Sequence, residues 1–353
     1  MALYDYGNTR LRARISNFFS LPMLESYSDL TSIDALISNL SKTHYKTSIE
    51  IALTYAHGYG CITEALRRET IDIRQNLMRF YAPEIWEKIK ILFERVDLQN
   101  MKSIFRGICH EARIDTIINS LSPLGTIDER FLFRLAKSKN AAEAIDRIAI
   151  FGLDIAGELL EKKSSDKKCT SSEIERTLEN WYFRKMSAAL KRNEENTILM
   201  RKLVSIETDI INLNLLLRFV DAPTSPDKED HSIEYFIIDG GNFRRNQLIQ
   251  LSKESSVEKV ITRLAPTHYH DYLMEALSCY RENGLLSEFE NKIRIYALKW
   301  LALLPKLNPF GIGVPMGYVA LKNSEIRNIR WIAKGIYSGF EAGFIKENIE
   351  KAA

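Results

Sequence analysis

A metal centre needs His, Cys or carboxylate donors at short, regular spacing, and in this chain such donors are scattered. His44, His57, His110, His231, His268 and His270 include one His-x-His pair and no HExxH, and no cysteine stands at metal spacing from them. Cys61, Cys109, Cys169 and Cys279 lie far apart, without CxxC, in a chain too large to need staples, and they read as reduced cytosolic thiols. Gly311-Ile312-Gly313 with Gly317 has the wrong last spacing for a dinucleotide fingerprint, contains Pro315 and follows a helix-like segment. GxxxxGK(S/T) and GxSxG are absent, which removes the phosphate cradle and the nucleophile elbow. Glu64, Glu69, Glu173, Glu175, Glu288 and Glu290 stand beside Arg67, Arg68, Arg176 and Lys292 at the spacing of solvated ion pairs. No pair of them is singled out for acid–base work, so neither catalysis nor a cofactor or metal site is expected.

What does recur is an acid, an asparagine three positions on and a base six after that. The copies are Asp97, Asn100 and Arg106; Asp209, Asn212 and Arg218; and Glu325, Asn328 and Lys334. The asparagines are 112 and 116 residues apart. Around them Leu98, Met101, Ile104 and Phe105; Ile210, Leu213, Leu216 and Leu217; and Ile326, Ile329, Ile332 and Ala333 each form one apolar helical stripe. The acid at the start and the base near the end complement the helix dipole, and Gly107 and Gly335 stand where a left-handed cap would stop the helix. Each asparagine falls at the stripe's edge, placed either to bond neighbouring backbone or to meet a partner.

The elements that must carry these residues are helical, since apolar positions at three- and four-residue spacing dominate. Tyr235 to Ile238, followed by Asp239-Gly240-Gly241, reads either as a short strand and turn or as a helix lead-in. Breaks fall at 120–126, with Pro123 and Gly125; at 161–172, with Lys162, Lys163, Lys167 and Lys168; and at 221–232, with Pro223 and Pro226. Thr43-His44-Tyr45 recurs as Thr267-His268-Tyr269, and Ser172-Glu173-Ile174-Glu175 as Ser287-Glu288-Phe289-Glu290, the latter pair with a capping-box pattern. A period near 112 exceeds that of solenoids and predicts an all-α protein of three similar helical bundles, 1–122, 123–225 and 226–353.

With 353 residues, 45% apolar, there is material for several cores. A balance of 49 basic and 46 acidic residues gives no broad field for nucleic acid. The N-terminus lacks the apolar run of a secretory signal, and the stretch from Tyr296 to Leu307 is interrupted by Lys299, Pro305 and Lys306, short of a membrane span. Arg10, Arg12 and Arg14 form the one compact basic cluster, suited to a solvated helix face or to docking on an acidic partner surface.

Three segments carry a resemblance. Asn308 to Gly313, Gly317 to Lys322 and Glu325 to Gly335 closely resemble the C subunit of archaeal and bacterial V/A-type rotary ATPases, the counterpart of the eukaryotic d subunit. Tyr6 to Arg12 and Phe93 to Gly107 are similar to that family's first repeat. The resemblance implies a funnel of three helical domains with pseudo-threefold symmetry, peripheral on the cytoplasmic face of the membrane. It further implies a non-catalytic central-stalk rotor that joins the central shaft subunits to the membrane proteolipid ring and carries rotation between ring and head. The interface candidates are Arg10, Arg12, Arg14, Asn100, Asn212, Asn328, Arg327 and Arg330. A helical-repeat scaffold for soluble protein partners is the alternative.

Overall fold

A helix buries one face when apolar residues fall three and four apart. Gly58–Phe80 does this with Cys61, Ile62, Ala65, Leu66, Ile73, Leu77 and Phe80. The computed structural model describes residues 2–164, 170–221 and 232–351, and among these are nineteen α-helices, one 3-10 turn and no strand. Lys167, Lys168, Cys169, Pro223, Pro226 and His231 lie outside the described residues. The strand alternative at Tyr235 to Ile238 gives way to a 3-10 turn, Ile233–Tyr235. The backbone of Ile238 is bonded by the Asn212 side chain instead of a ladder.

Packing gathers the chain into two compact units, residues 1–93 with 298–353 and residues 94–297. The first division of the expected repeats, at 122/123, lies inside the second unit, and the other, at 225/226, lies outside the described residues. The first unit holds Ala2–Ile15, Leu21–Ser28, Ile33–Leu40, Lys46–Leu53, Gly58–Phe80, Pro83–Ile89, Gly313–Ser338 and Ala342–Glu347. Its hub is Gly313–Ser338, which packs on Ala2–Ile15, Leu21–Ser28, Ile33–Leu40, Gly58–Phe80 and Ala342–Glu347. Gly317 makes room there, since a Cβ would stand 2.4 Å from the Pro305 ring and 2.9 Å from the Leu301 carbonyl.

The second unit holds Ile114–Ser120, Glu129–Ala136, Ala141–Phe151, Ala156–Ser164, Ser171–Ala189, Glu195–Asp221, Arg245–Leu251, Val257–Arg263 and His270–Asn283. The two division points fall within Ile91–Cys109 and Ser287–Leu307. One of its cores joins Leu213, Leu216 and Leu217 to Val260, Ile261, Leu273, Phe289 and Ile293.

Three runs of chain share a register finer than the asparagine spacing. Phe19, Ile127 and Phe243 each stand two residues before a helix, at Leu21, Glu129 and Arg245. Thirteen residues after each comes an N-cap, Ser32, Asn140 or Ser256, whose side chain accepts from the N–H of Ala35, Glu143 or Lys259. Twenty-six residues after each comes Tyr45, Leu153 or Tyr269, just ahead of the next helix.

Two local expectations are corrected. The capping box of Ser171–Ala189 is made by Thr170 and Glu173 instead of Ser172 and Glu175, because Glu175 is engaged by Arg106 at 3.0 and 2.5 Å. Ser287 is already the first residue of its helix. Gly107 and Gly335 do not stop their helices, which run on to Cys109 and Ser338; the left-handed cap of the latter is Gly339, at φ 71°. Instead the two glycines admit a neighbour, since a Cβ would lie 2.5 Å from Ile117 at Gly107 and 2.6 Å from Ile345 at Gly335.

Candidate functional site

The repeated acid and asparagine build three joints of one design. A primary amide can donate to a carbonyl and accept from an N–H at once, and each asparagine does so on a single distant residue. Asn100 holds Ser122 at 2.9 and 2.9 Å, Asn212 holds Ile238 at 2.8 and 3.0 Å, and Asn328 holds Glu350 at 3.0 and 2.8 Å. The asparagines are 2%, 1% and 3% exposed. They therefore face inward and tie backbone within the chain.

The acid, one helical turn earlier, secures the start of a run. Asp97 accepts from the Thr126 N–H at 2.8 Å, the Thr126 hydroxyl at 2.5 Å and the Ile127 N–H at 3.0 Å. Asp209 accepts from the Asn242 N–H at 2.8 Å, the Asn242 amide at 2.7 Å, the Phe243 N–H at 3.4 Å and the Tyr269 hydroxyl at 2.7 Å. Glu325 accepts from the Phe19 N–H at 2.7 Å and the Tyr45 hydroxyl at 2.8 Å. Phe19, Ile127 and Phe243 are the equivalent positions noted above. Bare glycine backbone lies against two of the acids, since a Cβ would come within 2.1 Å of Asp97 at Gly125 and 2.3 Å of Asp209 at Gly241.

Electrostatically the joints differ. Burial pushes Asp97 and Asp209 above the usual carboxylate value, against the pull of their hydrogen-bond donors. At Glu325 burial acts the same way, but the His44 hydrogen bond, the charges of Lys322 and His44 and the Phe19 N–H outweigh it, and the carboxyl ends below its usual value. Lys322 bonds Glu325 at 3.1 Å and Glu69 at 3.0 Å, and its ammonium lies 4.0 Å from the centre of the Tyr45 ring. His44 and Tyr45 belong to the Thr-His-Tyr repeat legible in the sequence; nothing there assigned them to Glu325.

The bases of the first two copies pair across to the repeated glutamates, Arg106 with Glu175 and Arg218 with Glu290 at 3.9 Å. Arg327 forks onto Glu350 at 2.8 to 3.1 Å, and both Arg327 and Arg330 are exposed. Arg12 is exposed and donates to the Pro309 carbonyl at 2.8 Å, while exposed Arg10 lies 5.1 Å from the Tyr6 ring centre. Arg14 is half-buried, 4.6 Å from the Phe80 ring centre, at the edge of an open cleft of about 710 Å³ that also reaches His44, Asp72 and Lys322. The basic cluster is thus brought together on one helix, and only Arg10 and Arg12 present themselves to solvent. Among the described residues no His, Cys, Asp and Glu group is arranged for a metal ion, and Cys61, Cys109 and Cys279 are free thiols.

A family model described as ATP synthase (C/AC39) subunit matches residues 7–348. The chain belongs to the ATP synthase (C/AC39) subunit family. Its relatives in that family include the A-type ATP synthase C subunit of Methanosarcina acetivorans, 27% identical over 350 residues, covering 98% of this chain and 92% of that one. The C subunit of Methanocaldococcus jannaschii is 23% identical over 95% of this chain and 83% of its own. That of Haloquadratum walsbyi is 23% identical over 97% of both. In this ATP synthase subunit, all three joints lie within the matched span except for Glu350, the residue bonded by Asn328. No helix among the described residues is long and apolar enough to cross a membrane.

Proposed function

We propose that the chain is a non-catalytic central-stalk subunit of a V/A-type ATPase or ATP synthase, coupling the central shaft to the membrane proteolipid ring. It would sit peripherally on the cytoplasmic face, with three helical domains around a pseudo-threefold axis. The observation that carries this reading is the joint made three times over in a chain of the ATP synthase (C/AC39) family. One charge crossing 100 mV is worth about 2.3 kcal/mol, so a coupler passing on several steps must resist slippage of order 10 kcal/mol. Buried, doubly bonded ties at equivalent places suit that load. The three repeated acids are committed to holding backbone.

A complex lacking this chain is expected to retain ATP hydrolysis in its head and to lose ion pumping. Normal pumping without it would overturn the reading, and recovery of the chain with soluble partners alone would favour a scaffold. Arg10 and Arg12 offer the exposed charge for docking, so replacing both with glutamine should weaken assembly by about tenfold at low salt and by much less at 0.5 M, where charges are screened within about 4 Å. Equal binding of variant and parent at both salt concentrations would remove these residues from the interface.

A further inference from the structure

The sister joints at Glu325 and Asp209 each contain a tyrosine that the joint at Asp97 lacks. Tyr45 and Tyr269 stand twenty-six residues after Phe19 and Phe243 and donate their hydroxyls to Glu325 and Asp209 at 2.8 and 2.7 Å. Each ring packs on the phenylalanine of its own run, with centres 5.6 and 5.8 Å apart. In the Asp97 joint the same two positions are Leu153 and Ile127, both smaller and neither able to donate a side-chain hydrogen bond. An open cavity of about 140 Å³ stands beside Asp97, lined by Met101, Ile127, Leu153 and Trp181 and by the charged Glu94, Asp154 and Lys185, the lysine pairing with both acids. By volume alone that admits a single six-membered ring, since a closed apolar cavity near 150 Å³ holds benzene; this one is open on one side and has a charged rim. The Asp97 carboxylate accepts three hydrogen bonds from Thr126 and Ile127, and a carboxylate has about four acceptor directions.

The turn at the cavity differs from its sisters as well. Lys42-Thr43 and Pro266-Thr267 precede the tyrosine turns, whereas Ile150-Phe151 precedes Leu153. Ile150 is 87% exposed and Phe151 45%. Loss of an internal aromatic and gain of exposed apolar surface at one place are what an interface requires, because the missing ring and the missing cover then come from the same partner.

We propose that the cavity beside Asp97 receives a tyrosine side chain of a partner protein. Its hydroxyl donates to the Asp97 carboxylate, its ring fills the space that Tyr45 and Tyr269 fill in the sister joints, and the partner's flanking apolar residues cover Ile150 and Phe151. This geometry does not depend on the rotor role.

The probe is 4-methylphenol, titrated into the full chain and followed by ligand-observed NMR, with toluene as the control that lacks the hydroxyl. Saturable binding about tenfold tighter than toluene is expected, the worth of one hydrogen bond, and Leu153→Tyr should abolish it. Leu153→Phe, which fills the space without adding a hydroxyl, keeps the experiment readable if tyrosine disturbs folding. Equal binding of the two probes, or binding that survives both substitutions, overturns the site. In cells, a photoreactive residue at position 150 should cross-link to a tyrosine-containing peptide of another protein, and Leu153→Tyr should remove that product. A cross-link to a second copy of this chain, to a peptide without tyrosine, or none at all overturns the partner.

Discussion

Lys322→Met should destabilise the protein by about 3–5 kcal/mol at neutral pH, the range for leaving buried charges without their counter-ion. Lys322 and Glu325 are each 4% exposed in their side chains, and the ammonium also bonds Glu69. Without it two carboxylates share a buried space with His44 left to oppose them. Methionine replaces the stem but supplies no donor. The pH dependence gives the test its sign. In the parent, Glu325 is held below its ordinary 4.5, so its contribution is complete above that value and is lost as pH falls through the folded one. In the variant the attraction of Lys322 is gone and the folded value rises. Stability should then fall as pH rises through it, making the deficit larger at pH 7 than at pH 4. Urea unfolding at the two pH values measures this; a deficit under about 1 kcal/mol, equal at both, would show that the cation carries no such weight. Asp97 and Asp209 run the other way in the parent, since burial raises them above 3.8 and their joints weaken as pH rises through the folded values.

Asn212→Leu is the second large effect. Leucine keeps the branched shape and heavy-atom count of asparagine, so no cavity forms, yet it orphans the N–H and the C=O of Ile238 together. A buried polar group left without a partner costs about 1–3 kcal/mol, and two of them give an expected loss of about 2–6 kcal/mol. The substitution should lower the urea midpoint with an unchanged slope, the mark of lost stability without a changed denatured state. A midpoint within 0.2 M of the parent would mean that water satisfies Ile238 and that the clamp is dispensable.

These two residues also show what could be read beforehand. The helix around Asn212 and its apolar stripe follow from spacing alone, and Leu213, Leu216 and Leu217 are buried as the stripe predicts. That the amide bonds backbone was one of two options, and burial selects it. Its target was not legible, because Ile238 lies 26 residues away and nothing in either segment names the other. Lys322 was hidden for the same reason, since its partners Glu69 and Tyr45 come from the other end of the chain. At Thr170 two overlapping cap patterns competed, and the tie was broken by Arg106, which reaches Glu175 across 69 residues of chain. Gly107 and Gly335 looked like stop signals because glycine favours both left-handed caps and close approach; the packing of Ile117 and Ile345 decides for the latter.

The Glu325 bond to the Phe19 N–H spans 306 residues, against 30 for Asp97 to Ile127 and 34 for Asp209 to Phe243. During synthesis at about 5–20 residues per second, that span corresponds to roughly 15–60 s between the emergence of the two partners. For all that time the first run waits on the ribosome with Phe19, Tyr45 and the apolar face of Gly58–Phe80 lacking the Gly313–Ser338 helix that covers them. The run that holds Phe19 is made well before the helix that finishes it, so holding chaperones would act on that run, and a stalled or truncated chain would expose it first.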